Sequence, residues 1–230
     1  MNILSISSDR KVFEQGSAVR SRLLEYGRLV DEIHVIVLSK KSSRFHQESF
    51  RPNIFLYPTN ARTKSGYILC ALKQAVKLKK HGVHIDVVTA QDPFELGLIA
   101  FFVARILGAK LHLQVHTDFM SSFFTQESFV NHVRVRIAKM LLPRADAVRV
   151  VSERIKNSLV SVHIAHMRVL PIFTDTAHNA KISPHHDLKK KYPQFEKHIF
   201  MTSRLSREKN VELALDVMKD IIVKHPKIGL

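Results

Sequence analysis

At 230 residues, 45% hydrophobic, with a mean hydropathy of -0.04, the chain has apolar material for one large domain or one domain and part of a second, and its composition excludes a disordered or mainly membrane-embedded protein. A single cysteine, Cys70, excludes an internal disulfide and suits a reducing cytoplasm, where it reads as a small buried hydrophobe. A net charge of +16 attracts polyanions (nucleic acid, an anionic membrane or a phosphorylated substrate), although a solvated basic surface accounts for many of these charges. Without Trp or any basic motif interleaved with aromatics, nucleic acid is the weakest of the three.

The opening stretch MNILSISSDRKVF has neither the basic start nor the long apolar core of a signal peptide. Residues 2–7 predict a buried strand, and residues 18–30 a helix with apolar spacing at Val19, Leu23, Leu24 and Val30. The β-branched run 32–39 and the segment 53–59 predict strands. A helix is predicted over 66–80, stopped near Gly82, then a strand over 84–91. The apolar segment 94–109 is shorter than the roughly 20 residues of a spanning helix and contains Arg105, so it reads as a buried helix ending at Gly108. A strand over 110–117, a basic amphipathic helix over 126–142, a strand over 147–152, the helix ERIKNSLV and a strand over 167–172 complete the alternation.

Alternating strands and helices, several strands apolar on both faces, predict a doubly wound, mainly parallel α/β sheet. Residues 174–196 are polar, contain two prolines and end in a basic run. They read as a linker with a short helix between an N-terminal domain (1–173) and the start of a second α/β unit (197–230). His185 and His186 in this linker read as solvent-facing. The second unit opens with a strand over 198–203 and the helix VELALDVMKDIIVK, with Asn210 as its N-cap. KIGL reads as the start of one more strand. That is too little to bury a core.

The turn RLSREKN joins the first strand of that unit to its helix. It places Arg204 at a strand end and Lys209 beside a helix N-terminus, where backbone N–H groups and the helix dipole also point. A dianion such as a pyrophosphate suits that position, Arg gripping it with a planar fork and Lys as a point charge. The alternative is a pair of solvated surface cations. His112, Gln114 and His116 alternate along one strand and share a face, with Asp118 just past its end. Two histidines on one strand are too few for a metal site. Only seven glycines occur and none forms G-x-G-x-x-G, which disfavours a nicotinamide dinucleotide fold. Apolar Phe119, Met120, Phe123 and Phe124 precede a helix bearing Arg134, Arg136 and Lys139, a combination that suits an anionic bilayer surface or a core-facing helix with a solvated basic face.

The segment MTSRLSREKNVELALDVM resembles the opening of the second domain of glycosyltransferase family 4, retaining enzymes of the GT-B fold that use nucleotide-sugars. Arg204, Leu205, Lys209 and Asn210 fit the family pattern. PRADAVRVVSERIKNSL (143–159) is similar to its Ala-Asp-strand-Ser segment, and LHLQVHTDF (111–119) to its His-x-Asp element. The resemblance implies that Arg204 and Lys209 bind and activate the donor diphosphate and that Gly16, in the loop after the first strand, brings backbone N–H groups to it. For Gly16-Ser17 the alternative is an ordinary helix start with Ser17 as N-cap. It further implies that His116 faces acceptor and sugar, with Asp118 on the acceptor side, and that no metal or other cofactor is needed. The partners implied are a nucleotide-sugar and a glycan, glycolipid or lipid-linked acceptor, met in the cytoplasm or on the inner face of the membrane. The family's donor-gripping glutamate pair has no counterpart in these residues. The chain is therefore expected to be a fragment, or one part of a split enzyme completed by a second polypeptide, and to transfer sugar poorly by itself. The rival expectations are a non-catalytic binding module or partner subunit and, less favoured, a basic nucleic-acid-binding α/β protein.

Overall fold

The computed structural model of the chain describes residues 1–172, 187–205 and 207–229. Two compact units are present, Met1–Ile172 and Phe173–Leu230.

In the first unit, β1 (Asn2–Ser7) leads through a 3-10 turn (Arg10–Phe13) to α1 (Ala18–Tyr26) and β2 (Glu32–Val37). Then come β3 (Glu48–Ser49), β4 (Ile54–Pro58), α2 (Gly66–Lys80), β5 (Val87–Ala90), α3 (Glu95–Leu107) and β6 (Lys110–Val115). The unit ends with α4 (Ser122–Gln126), α5 (Phe129–Leu141), β7 (Ala147–Val150), α6 (Glu153–Ser158) and β8 (Met167–Val169). The strands form one sheet in the order β3-β4-β2-β1-β5-β6-β7-β8. β3 is antiparallel to β4 and every other pairing is parallel. The chain leaves β1 toward β2 and β4, then crosses to β5 on the other side of β1. This is the doubly wound, mainly parallel α/β sheet that the alternation predicts, with its switch point between β1 and β5.

Strand alternation sends one residue set to each face. Leu4, Ile6, Val88, Leu113 and Val115 pack beneath Ala75 of α2, Ile99 and Val103 of α3 and Leu141 of α5. Burying each large side chain of this kind stabilises by about 1.5–3 kcal/mol. On the other face, Ile33, Val35, Val37, Ile54 and Leu56 pack against Val19, Leu23 and Leu24 of α1. Farther along that face, β5, β6 and β7 carry Thr89, His112, Gln114 and Arg149.

Two expected helices have different bounds. α1 stops at Tyr26 instead of running to Val30, because the Asn53 side-chain amide donates to the Gly27 carbonyl (2.6 Å) and turns the chain toward β2. The helix expected over 126–142 is α5, which begins at Phe129, and a short additional helix, α4, precedes it. Ser128 caps α5 by accepting from the Val130 N–H (3.0 Å), and the buried Asn131 amide donates to the Phe124 carbonyl (2.7 Å), fixing the corner. The linker placed over 174–196 lies outside the described residues as far as 186, His185 and His186 included, and the described remainder holds α7 (Leu188–Lys191), capped by Asp187.

In the second unit, β9 (Lys197–His198) pairs in parallel with β10 (Ile228–Gly229), and α8 (Val211–Lys224) connects them. The strand expected over 198–203 is thus two residues long. A ladder extends only as far as its partner, and among the described residues β10 offers two positions. Phe200, at 83% exposure, and Leu205 lie on the surface.

Candidate functional site at the carboxyl ends of the strands

Because β1, β5, β6 and β7 run parallel, their carboxyl ends share one edge of the sheet. Past β1, Gly16 adopts φ +75, a conformation that glycine tolerates without cost. Ser17 then caps α1 by accepting from the Arg20 N–H (3.2 Å) while its own hydroxyl donates to the Lys11 carbonyl (2.6 Å). The helix-start role of Ser17 is therefore present, and Gly16 has open space around its Cα.

Past β6, His116 is exposed at the edge of the sheet, and Asp118 follows in the turn. Asp118 Oδ2 accepts from the Arg154 guanidinium at 3.3 Å, whereas its Oδ1 is buried and has no hydrogen-bond partner among the described residues. Arg154 stands just after Ser152, whose hydroxyl caps α6 by accepting from the Ile155 N–H (3.3 Å). Past β5, the Asp92 carboxylate accepts from the Phe94 N–H (2.8 Å), and burial raises its pKa.

Beneath this edge a polar strip crosses the open sheet face. Thr89 Oγ1 and His112 Nδ1 are 2.9 Å apart, and the Gln114 side-chain Oε1 accepts from Arg149 at 3.1 Å. Arg149 also donates to the carbonyls of Leu170 and Pro171 (2.9 Å each), so its charge is held in place. Partial burial first, and the Arg149 charge second, lower the pKa of the half-buried His112 and of His116, whose ring is only partly shielded at the sheet edge. Both imidazoles are therefore neutral at physiological pH, able to accept as well as donate. Alongside, the open faces of β1, β5 and β6 meet α1 in a groove of about 340 Å³ with Ser5, Thr89 and His112 on one side and Leu23 and Tyr26 on the other.

In the second unit, Arg204 is exposed, and Lys209 ends a 3-10 turn (Arg207–Lys209) where it pairs with Glu208 at 3.2 Å. Asn210 occupies the N-cap position of α8 in a left-handed conformation (φ 45), but its side chain makes no capping hydrogen bond, contrary to the expected cap. The helix N-terminus thus keeps donors unsatisfied by Asn210. The membrane candidates ahead of α5 also change. Phe119 is 1% exposed and packs edge-on to Phe94, Phe124 stacks on the same ring, and Met120 lies against the core, leaving Phe123 as the exposed member. Sequence reasoning missed Arg149, Arg154 and Asp92. Each acquires its role from a partner or burial that no local pattern reports.

The profile described as Glycosyltransferase Family 4 matches residues 25–178, more than half of the chain. The chain belongs to glycosyltransferase family 4. The matched span contains β6, His116, Asp118 and the segment around Ser152. No curated protein matches the chain. Among solved structures, a portion of sucrose-phosphate synthase from Thermosynechococcus elongatus is similar at 14% identity and a TM-score of 0.53, over 78% of this chain and 93% of that one. A putative UDP-N-acetylglucosamine 2-epimerase from Listeria monocytogenes matches at 13% identity and 0.54, over 99% of this chain and 60% of that one. The S. aureus MnaA–UDP structure matches at 15% identity and 0.51, with 99% and 60% covered. The family 4 chain thus spans 60% of the length of the latter two. These likenesses show the fold, a Rossmann-like α/β domain of the GT-B type. Among the described residues, no helix is long and apolar enough to cross a membrane.

Proposed function

We propose that this family 4 protein transfers a sugar from a nucleotide-sugar to a hydroxyl acceptor, with retention at the anomeric carbon. The observation that carries the reading is the family match laid on the sheet: the matched span brings His116 and Asp118 to the carboxyl edge, where Gly16 also stands and where such sheets bind ligands. Gly16 contributes backbone N–H groups to the donor diphosphate. Arg204 and Lys209, aided by the N–H groups opening α8, stabilise the charge that develops on the leaving diphosphate, an electrostatic contribution that often dominates such chemistry. Neutral His116 hydrogen-bonds the sugar or the acceptor. Asp118, with Oδ2 held by Arg154, stands on the acceptor side.

A uridine nucleotide is supported by the UDP bound to the structurally similar MnaA. The acceptor is a glycan, glycolipid or lipid-linked precursor met at the inner face of a membrane, a reading supported by the +16 charge. The coverage of longer relatives supports the further reading that these 230 residues turn over donor poorly until the second α/β unit is completed, by further sequence or a second polypeptide. The two-residue strands of that unit favour one alternative, a non-catalytic acceptor-holding module or partner subunit. Incubation with a panel of labelled nucleotide-sugars and lipid-linked acceptors, with and without a completing polypeptide, separates the two. Product with the donor's anomeric configuration is expected once the unit is complete. An inverted product would refute retention, and no transfer in the completed protein would refute the enzymatic reading.

A further inference from the structure

The outer surface of the helical layer formed by α2, α3 and α5 departs from the pattern of a soluble helix. α5 buries Asn131, Ala138 and Leu141. Its opposite stripe, at three- and four-residue spacing, is Phe129, Val133, Arg136 and Met140, all exposed, Phe129 to 82%. A helix lying on a soluble core normally turns polar residues outward along that stripe. α3, which touches both α2 and α5, exposes Phe102 and Arg105. α2 repeats the pattern with Leu69, Lys73, Val76 and Lys80. Across the three helices Glu95 is the single acidic residue, and it is tied to Arg134 at 2.9 Å. The next acids along the chain are Asp118, which accepts from Arg154, and Glu127 in the turn before α5.

Exposed apolar side chains and cations without an acidic partner among the described residues therefore alternate over one broad face. An acidic protein or a duplex nucleic acid would answer the cations and leave the apolar groups unmatched. An anionic bilayer answers both. Phe, Leu and Met enter the headgroup–acyl boundary, and Lys and Arg reach back along it to lipid phosphates.

We propose that the outer face of α2, α3 and α5 docks on an anionic lipid bilayer, with Phe129 and Val133 inserted and Lys73, Arg136 and Lys139 against the headgroups. The site deepens the membrane part of the function proposed above but needs no sugar transfer, and its test contains no nucleotide-sugar. Failure of one therefore leaves the other standing.

The chain contains no Trp, so Phe129→Trp installs a single reporter in the full 230-residue protein. Its emission should shift to the blue on adding phosphatidylcholine–phosphatidylglycerol vesicles and stay unchanged with phosphatidylcholine alone. A reporter at the exposed Tyr26 of α1, Tyr26→Trp, should not respond. Sedimentation with the same vesicles compares two variants of equal net charge. The triple Lys73→Glu/Arg136→Glu/Lys139→Glu should bind about tenfold or more weaker, whereas Arg28→Glu/Lys40→Glu/Lys41→Glu, on exposed positions elsewhere, should lose less than about twofold. Circular dichroism melts confirm that both triples are folded. Equal losses in the two triples, an unmoved Phe129→Trp emission, or a duplex oligonucleotide that displaces the protein from vesicles at equal phosphate concentration would overturn the proposal.

Discussion

His112 on β6 and His116 just past its end stand four residues apart on one face, and both titrate below the ordinary histidine value of 6.5 for the same reasons, partial burial and then the fixed charge of Arg149. In the unfolded chain both recover ordinary values and take up protons first as the pH falls. The stability they confer is therefore complete above that value and is lost progressively as the pH drops from it through the lower folded values. Melting temperatures measured from pH 8 to pH 5 should fall, and His112→Gln should flatten part of that fall. An unchanged pH profile would mean that neither imidazole is held neutral by the fold. Gly16→Ala should cost about 1–2 kcal/mol in urea unfolding, because φ +75 is left-handed while the space around it is open. The alternation of His112, Gln114 and His116 was legible in the sequence, since strand period alone puts them on one face. The Asp118–Arg154 pair was not, because its members are 36 residues apart and meet only when β6 and β7 lie side by side.

At the scale of elements, most of the sheet was legible because its strands are β-branched runs cut off by Gly, Pro and Asp, and its buried helices carry strong 3.6-residue periodicity. The corner between α4 and α5 was not. Ser128 and Asn131 look like ordinary polar residues until the first becomes a cap and the second a buried tie to Phe124. Ser128→Ala should cost about 1 kcal/mol by loss of that cap, measured by thermal or urea unfolding. In α3, Gly97 packs so closely that an added Cβ would lie 2.8 Å from the Asp92 carbonyl and 3.4 Å from Leu113 and Leu141. Gly97→Ala should therefore destabilise by about 1–3 kcal/mol despite its better helix propensity. A neutral or stabilising Gly97→Ala would contradict the packing at the α3–β6 contact. For the aromatic run 119–124 the sequence left a bilayer-facing and a core-facing reading open. Apolar residues beside basic ones suggest a surface, but Phe94 offers Phe119 and Phe124 a place in the core.

For the whole molecule, the alternation of strand and helix over the first unit, the absence of a Gly-rich dinucleotide fingerprint and the Arg204–Lys209 turn together pointed to a family 4 protein, and the profile match shows that family. The second unit was legible in outline, strand, helix, strand. The length of β9 was not, since it depends on which strands stand beside it. The central claim about function is that Arg204 and Lys209 address one diphosphate, and titration of the 230-residue chain with UDP, inorganic pyrophosphate and UMP tests it most directly. UDP and pyrophosphate should bind more tightly than UMP, by calorimetry or phosphorus NMR. Arg204→Ala and Lys209→Ala should each weaken UDP by about 1.5–3 kcal/mol, as expected for hydrogen bonds to charged groups. The double variant should lose less than the sum of the two, because both cations serve the same ligand. UDP and UMP binding alike, or two single variants that leave UDP affinity unchanged, would contradict the account.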